Sequence, residues 1–224
     1  MTALLAALLF FSGARADESF FIQKIPGTSV EFKMIRTGEL WVAEYETTWD
    51  IYDLYAFGGG DGLDGITAPT QPFVDPTFEY GHDNYPVISV TQHAAKEFCR
   101  WLSLKTGRTY RLPTEAEWKS FASANSGAPL NEQAWIKENS QNTPHSVGLK
   151  KPNALSLFDI FGNVAEWMHD ALVVRGGSWA DEAATTSSRE PAKPEWSKRD
   201  PNFPKSIWWH TDAHHVGFRV VTRL

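Results

Sequence analysis

The 224-residue sequence holds one cysteine, three methionines and no run of lysine or arginine. A single thiol, Cys99, excludes an internal disulfide, so packing alone must hold the fold. The missing basic run, with a formal net charge of −6, argues against nucleic acid, whose phosphates require a basic stripe. No apolar run approaches the about 20 residues that a bilayer-spanning helix needs. Repeats and linkers are absent as well, so residues 17–224 read as a single domain. Hydrophobic residues at 42% and charged residues at 21% exclude collagen, coiled coil and wholesale disorder.

Tryptophan is abundant, with ten in the chain. Each buries a large area and carries one N–H that wants an acceptor, which suits both looped cores and recognition surfaces. At the N-terminus, the apolar run Ala3 to Phe11 leads through Ser12-Gly13 to Ala14-Arg15-Ala16. An apolar core ending in small residues at this spacing reads as a secretory signal peptide over 1–16, cleaved after Ala16. Asp17-Glu18 breaks the apolar pattern at once, against the alternative of a buried N-terminal helix. The expected location is therefore secreted or periplasmic, with no transmembrane segment in the mature chain.

Further along, Val30–Ile35 and Leu40–Glu44 flank Gly38 as two strands joined by a turn. Thr48 is expected to cap a helix whose apolar residues fall at 51, 54 and 55. Thr91 starts a second helix that runs to Lys105 and stops at Gly107. Cys99 shares a face of that helix with residues 95, 98 and 102, and reads as a buried structural thiol rather than a nucleophile. Thr114 and Glu117 form a capping box for a third helix. The glycine-rich stretch 58–65 lacks a phosphate-loop ending, and its Asp61 and Asp64 read as solvated loop carboxylates rather than calcium ligands. Residues 123–152 and 190–206 show no periodicity and read as ordered loop, whereas 216–221 alternates as a strand with Phe218 and Val220 inward. The sum is an α+β domain with few helices, short strands and much irregular chain.

Four segments carry a more specific signal: Tyr45-Glu46-Thr47-Thr48, Tyr110 to Trp118, Leu157 to Trp167, and Val174 to Trp179 with the later Gly217-Phe218-Arg219. In this order and spacing the chain resembles the formylglycine-generating enzyme family, also called sulfatase-modifying factor domains, over nearly all of residues 17–224. The resemblance implies a loop-rich variant of the C-type lectin fold with a functional face built from loops. It also implies a structural calcium ion held near Gly162-Asn163, with Asn163 and Glu166 as ligands; the alternative is a hydrogen-bonded turn before a core Trp167. Gly176-Gly177 is expected to let two backbones pass closely.

The sequence departs from the family where the chemistry would lie. The family's enzymes carry two cysteines after the Gly-Gly-Ser motif, bind copper(I) through both, and oxidise a substrate cysteine. Here those positions become Asp181 and Thr186, and a soft copper(I) ion needs thiolates. Ser178 is retained, at a position that matters for activity in those enzymes. Formylglycine generation is accordingly not expected, and neither is copper.

What remains is a face rich in aromatic, imidazole and carboxylate groups: Trp179, Asp181, Glu182, Trp208, Trp209, His210, Asp212 and His214, with Trp196 and His215 beside them. These suit a non-catalytic binding or assembly module whose partner is a protein or small-molecule ligand. A divergent metal-dependent oxidase is the alternative, and it requires three or more of Asp181, Glu182, His210, Asp212, His214 and His215 to converge. An accessory of sulfatase maturation is a third reading.

Overall fold

A computed structural model describes residues 18–58, 67, 69, 75–124, 126–198 and 208–224. The signal-peptide reading, Asp61 and Asp64 of the glycine-rich stretch, and residues 199–206 of the second expected loop lie outside the described residues.

Two small sheets organise the chain. Strands β1 (Phe20–Lys24), β2 (Glu31–Thr37) and β3 (Leu40–Ala43) form an antiparallel meander. It is extended by β9 (Val221–Thr222) and then β4 (Tyr110–Arg111), giving the order β1-β2-β3-β9-β4. The second sheet has the order β7-β6-β5-β8, from β5 (Ala165–Trp167), β6 (Val173–Arg175), β7 (Arg189–Pro191) and β8 (Val216–Gly217). Only β5 and β8 run parallel within it. Helices α1 (Trp49–Ala56), α2 (Gln92–Thr106), α3 (Glu115–Ala122) and the single turn α4 (Leu130–Gln133) complete the mixed α+β architecture, with a 3-10 turn at Pro194–Ser197.

Local chemistry explains most boundaries. In α2 the Thr91 hydroxyl accepts the Ala94 N–H, and Gly107, at φ 72°, ends the helix in the left-handed region. Its buried face carries Phe98, Cys99 and Leu102 as the periodicity predicts, and burial pushes the Cys99 thiol up. Phe98 meets Tyr52 at 5.6 Å and Phe218 at 5.4 Å, tying α1, α2 and the C-terminal segment into one core. Each such side chain contributes about 1.5–3 kcal/mol by leaving water.

Several expectations are corrected. Thr48 occupies the N-cap of α1, but its hydroxyl makes no cap bond; the inward face is Trp49, Tyr52 and Tyr55. Strand β1 was not evident in the sequence, because its exposure alternates weakly on a sheet edge. The single strand expected over 216–221 is two: β8 pairs with β5 in one sheet, and β9 pairs with β3 and β4 in the other. Phe218, Arg219 and Val220 cross between the sheets and are all buried.

The capping box of α3 forms as expected, Thr114 accepting the Glu117 amide while Glu117 accepts the Thr114 N–H. Arg111 also grips Glu117 with two bonds of 2.6 Å. That guanidinium, followed by the Thr114 donors, holds the Glu117 carboxyl down at about 2. A depressed carboxyl contributes stability above its unfolded value, and that contribution is lost as pH falls through the folded value. Glu117→Gln is expected to cost on the order of 1 kcal/mol near neutral pH. The difference from the parent should close between about pH 4.5 and about pH 2, read by denaturant unfolding across that range.

Candidate functional site

Behind the loop face lies the segment Gly162 to Trp167. Gly162 adopts φ 75°, and a Cβ there would lie 2.2 Å from the Trp135 carbonyl oxygen, so glycine is required. The turn places Asn163 and Glu166 inside the protein, both fully buried. Glu166 Oε1 accepts from Arg219 Nε at 2.8 Å, and its Oε2 accepts from Trp118 Nε1 at 2.9 Å. Arg219 donates further to the carbonyls of Ala43, Glu44 and Phe158. Asn163 donates to Glu46 at 2.7 Å and to the His145 carbonyl, while its Oδ1 accepts the His145 N–H at 2.9 Å.

Asn163 and Glu166 are thus hydrogen-bonded within the turn: the Asn163 oxygen accepts an amide, and each Glu166 oxygen accepts one protein donor. Among the described residues, no group of three or more His, Cys, Asp or Glu side chains is placed to hold a metal ion. Among the described residues, Asp159 Oδ1 is a buried carboxylate oxygen without a hydrogen-bond partner, and the sequence pattern did not single it out. Burial pushes the Asp159 carboxyl up to about 6, although Gly148 N–H donates to its other oxygen at 2.7 Å. Burial likewise raises Glu46 well above the usual carboxylate range.

On the loop face, Gly176-Gly177-Ser178 behaves as anticipated. Gly176, at φ 96°, passes so close to Ile160 that a Cβ would lie 2.9 Å from its carbonyl oxygen. Ser178 is buried, and Asp181 closes on it: Asp181 Oδ2 accepts the Ser178 amide at 2.8 Å and the Ser178 hydroxyl at 2.7 Å. The position expected to hold a thiolate in the enzymes is thus an acceptor clasped to its own loop. Beside it, Gly177, Asp181, Ser188, Arg189 and Glu190 line a small cavity of about 280 Å³.

The structure joins some of the sequence-derived candidates and separates others. Trp179 and His214 meet: Trp179 Nε1 donates to the His214 carbonyl at 3.4 Å, and Tyr80 stacks on the His214 ring at 5.0 Å while reaching Trp179 at 6.3 Å. His214 Nδ1 lies 2.8 Å from the Ser89 hydroxyl, and burial lowers its pKa, so it is neutral near pH 7. Trp208 and Trp209 instead flank His93, at 6.0 and 5.1 Å, with Trp208 exposed. Glu182 turns outward to Lys137 at 2.6 Å. His210 is buried against Val90, the Asp212 amide donates to the Trp196 carbonyl, and His215 faces Glu190 at 3.4 Å. The convergence required by the metal-dependent oxidase reading is therefore not formed among the described residues. Tyr80 and Ser89 were missed because they sit in aperiodic chain, where only the folded loops bring them to Trp179.

These features define a mixed α+β domain whose short sheets support a loop-built face. The chain belongs to the family of sulfatase-modifying factor enzyme 1-like domains, whose profile matches residues 14–224. It is 26% identical over 165 residues to inactive C-alpha-formylglycine-generating enzyme 2 of Bos taurus, covering 62% of this chain and 50% of that protein. It is 34% identical over 99 residues to serine/threonine-protein kinase pkn1 of Chlamydia pneumoniae, covering 41% of this chain and 15% of the kinase. The chain thus spans about half the length of the first relative and a small part of the second. Among solved structures, Treponema denticola variable protein 1 superposes with a TM-score of 0.66 at 21% identity, over 92% of this chain and 100% of that one. PvdO from Pseudomonas aeruginosa superposes at 0.61 and 21% identity, over 92% and 91%. At such identities the superpositions establish the fold alone.

The buried pair yields a test. Arg219→Met leaves the Glu166 carboxylate buried without its cation and is expected to cost about 3–5 kcal/mol in urea unfolding. Adding Glu166→Gln to that variant should recover part of the loss, because the uncompensated charge is then gone.

Proposed function

We propose that this domain is an exported, non-catalytic recognition module that binds a protein or small-molecule partner through its loop face. The observation that carries this reading is the closed Ser178–Asp181 clasp, which stands where the family's copper-binding thiols would begin. An aspartate bonded to its own loop neither binds copper(I) nor exchanges thiols, and the chain's one cysteine is buried in α2. The likeness to a relative named as inactive supports a non-catalytic or accessory role. Trp179, Tyr80 and His214 form a half-buried aromatic ledge, as rigid recognition faces do. Among the described residues no helix is long and apolar enough to cross a membrane.

Two measurements test the reading. Incubation with copper(I), dioxygen and a sulfatase cysteine peptide should give no aldehyde above the protein-free rate, by mass spectrometry; turnover would overturn it. Any ligand found by peptide or small-molecule screening should lose at least about tenfold in affinity on Trp179→Ala, the cost of removing a central aromatic anchor. Ligands insensitive to that change would move the binding face elsewhere.

A further inference from the structure

A second and larger cavity, about 670 Å³, opens away from the loop face. It lies between the β1–β2 hairpin, the segment joining β3 to α1, and the inner side of α2. Its accessible wall includes apolar Ile22, Val30, Phe32 and Ile51, backed by the fully buried Phe98, Leu102 and Val220. Its rim is acidic: Glu31, Glu44, Glu46 and Asp50 line it against one cation, Lys33. A cavity of this size has the proportions of a small-molecule site.

The charged groups are not equivalent. Glu46 is engaged by Asn163 and the Val164 amide, and Asp50 accepts the Asn84 amide at 2.8 Å. Glu31 faces Lys24 across solvent at 3.8 Å. Glu44 is the carboxylate held rigidly at the cavity wall. Its N–H donates to the Lys33 carbonyl at 2.9 Å, and its own carbonyl accepts from Phe158 N–H and Arg219. The backbone is thereby fixed on both sides of the side chain, which is only 11% exposed.

Lys33 shows what Glu44 recognises. Its ammonium lies 2.8 Å from Glu44 Oε1 and 4.9 Å from the centre of the Phe20 ring, with its stem along the rim beside Ile22. A carboxylate, an aromatic face and an apolar wall are the three elements that hold an organic ammonium. Phe20 and Ile22 remain 48% and 43% exposed, so they are open to a further apolar contact. The phenol of Tyr45, also on the wall, is raised by burial and then by the Glu44 charge, as a negative local field requires.

We propose that this cavity binds a small organic amine, a primary ammonium on an apolar stem, with Glu44 receiving the ammonium and the accessible Ile22, Val30, Phe32 and Ile51 receiving the stem. Lys33 acts as an internal competitor that occupies the carboxylate in the unliganded protein. The site is separate from the Trp179 face and does not depend on how that face is used.

The test is an NMR titration of the whole chain with n-hexylammonium, against n-hexanol and n-hexanoate as probes of stem and charge. Hexylammonium should bind at least tenfold tighter than either, with shifts confined to residues lining the cavity. Glu44→Gln should weaken it at least tenfold, whereas Lys33→Met should tighten it several-fold by removing the competitor. Equal affinity for hexanol, indifference to Glu44→Gln, or weaker binding in Lys33→Met would each overturn the proposal. Should Glu44→Gln fail to fold, Lys33→Met and the three-probe comparison still decide it. Nα-acetyl-lysine amide, titrated alongside, separates the two sources of such an ammonium: binding tighter than hexylammonium assigns the site to a protein lysine and overturns the free-amine occupant.

Discussion

The structure depends on one buried guanidinium. Arg219 has no access to water, and an isolated charge there would cost many kcal/mol. It persists because Glu166 takes its Nε–H and three carbonyls take its remaining arms. Those carbonyls belong to the end of β3 and to the segment before Gly162, while Glu166 belongs to β5 and is bonded in turn to Trp118 of α3. A single side chain thus links parts of both sheets and a helix, adding a polar hub to the hydrophobic clusters those elements share.

The loop face inherits its geometry from that hub. The Asn163 carbonyl accepts the Trp179 N–H at 2.8 Å, and the Gly162 N–H donates to the Gly176 carbonyl at 3.2 Å. Ser178 and Trp179 are therefore carried by the same turn that buries Glu166. Within this scaffold Asp181 supplies an acceptor that closes on Ser178, next in sequence to the aromatic Trp179. The same scaffold holds Glu44 from behind through Arg219, which gives the amine cavity a fixed carboxylate although it lies away from the loop face.

Legibility followed the range of the interactions. Thr91, Gly107 and the Thr114–Glu117 box act within one helical turn, and the sequence placed their helices correctly. The motif around Gly176-Gly177 was readable for the same reason, because close backbone approach requires glycine whatever approaches. The single strand expected over 216–221 failed because alternation describes side-chain direction and carries no information on which sheet each residue joins. The partner of Asn163 was not legible for a different reason: His145, which bonds its oxygen, lies 18 positions away and only folding brings it there.

The sequence by itself determined the family, the absence of the thiol pair, and the caps and buried faces of the principal helices. These depend on residue identity and on neighbours a few positions apart. Only the tertiary structure decided that Trp179 meets Tyr80 and His214, that His210 and His215 part company, and that Asp159 keeps an unpartnered oxygen. It alone set Lys33 against Glu44 at the mouth of an apolar cavity. Each of those outcomes is a contact between segments that the chain brings together only by folding, where burial and charge pairing, rather than local spacing, select the partner.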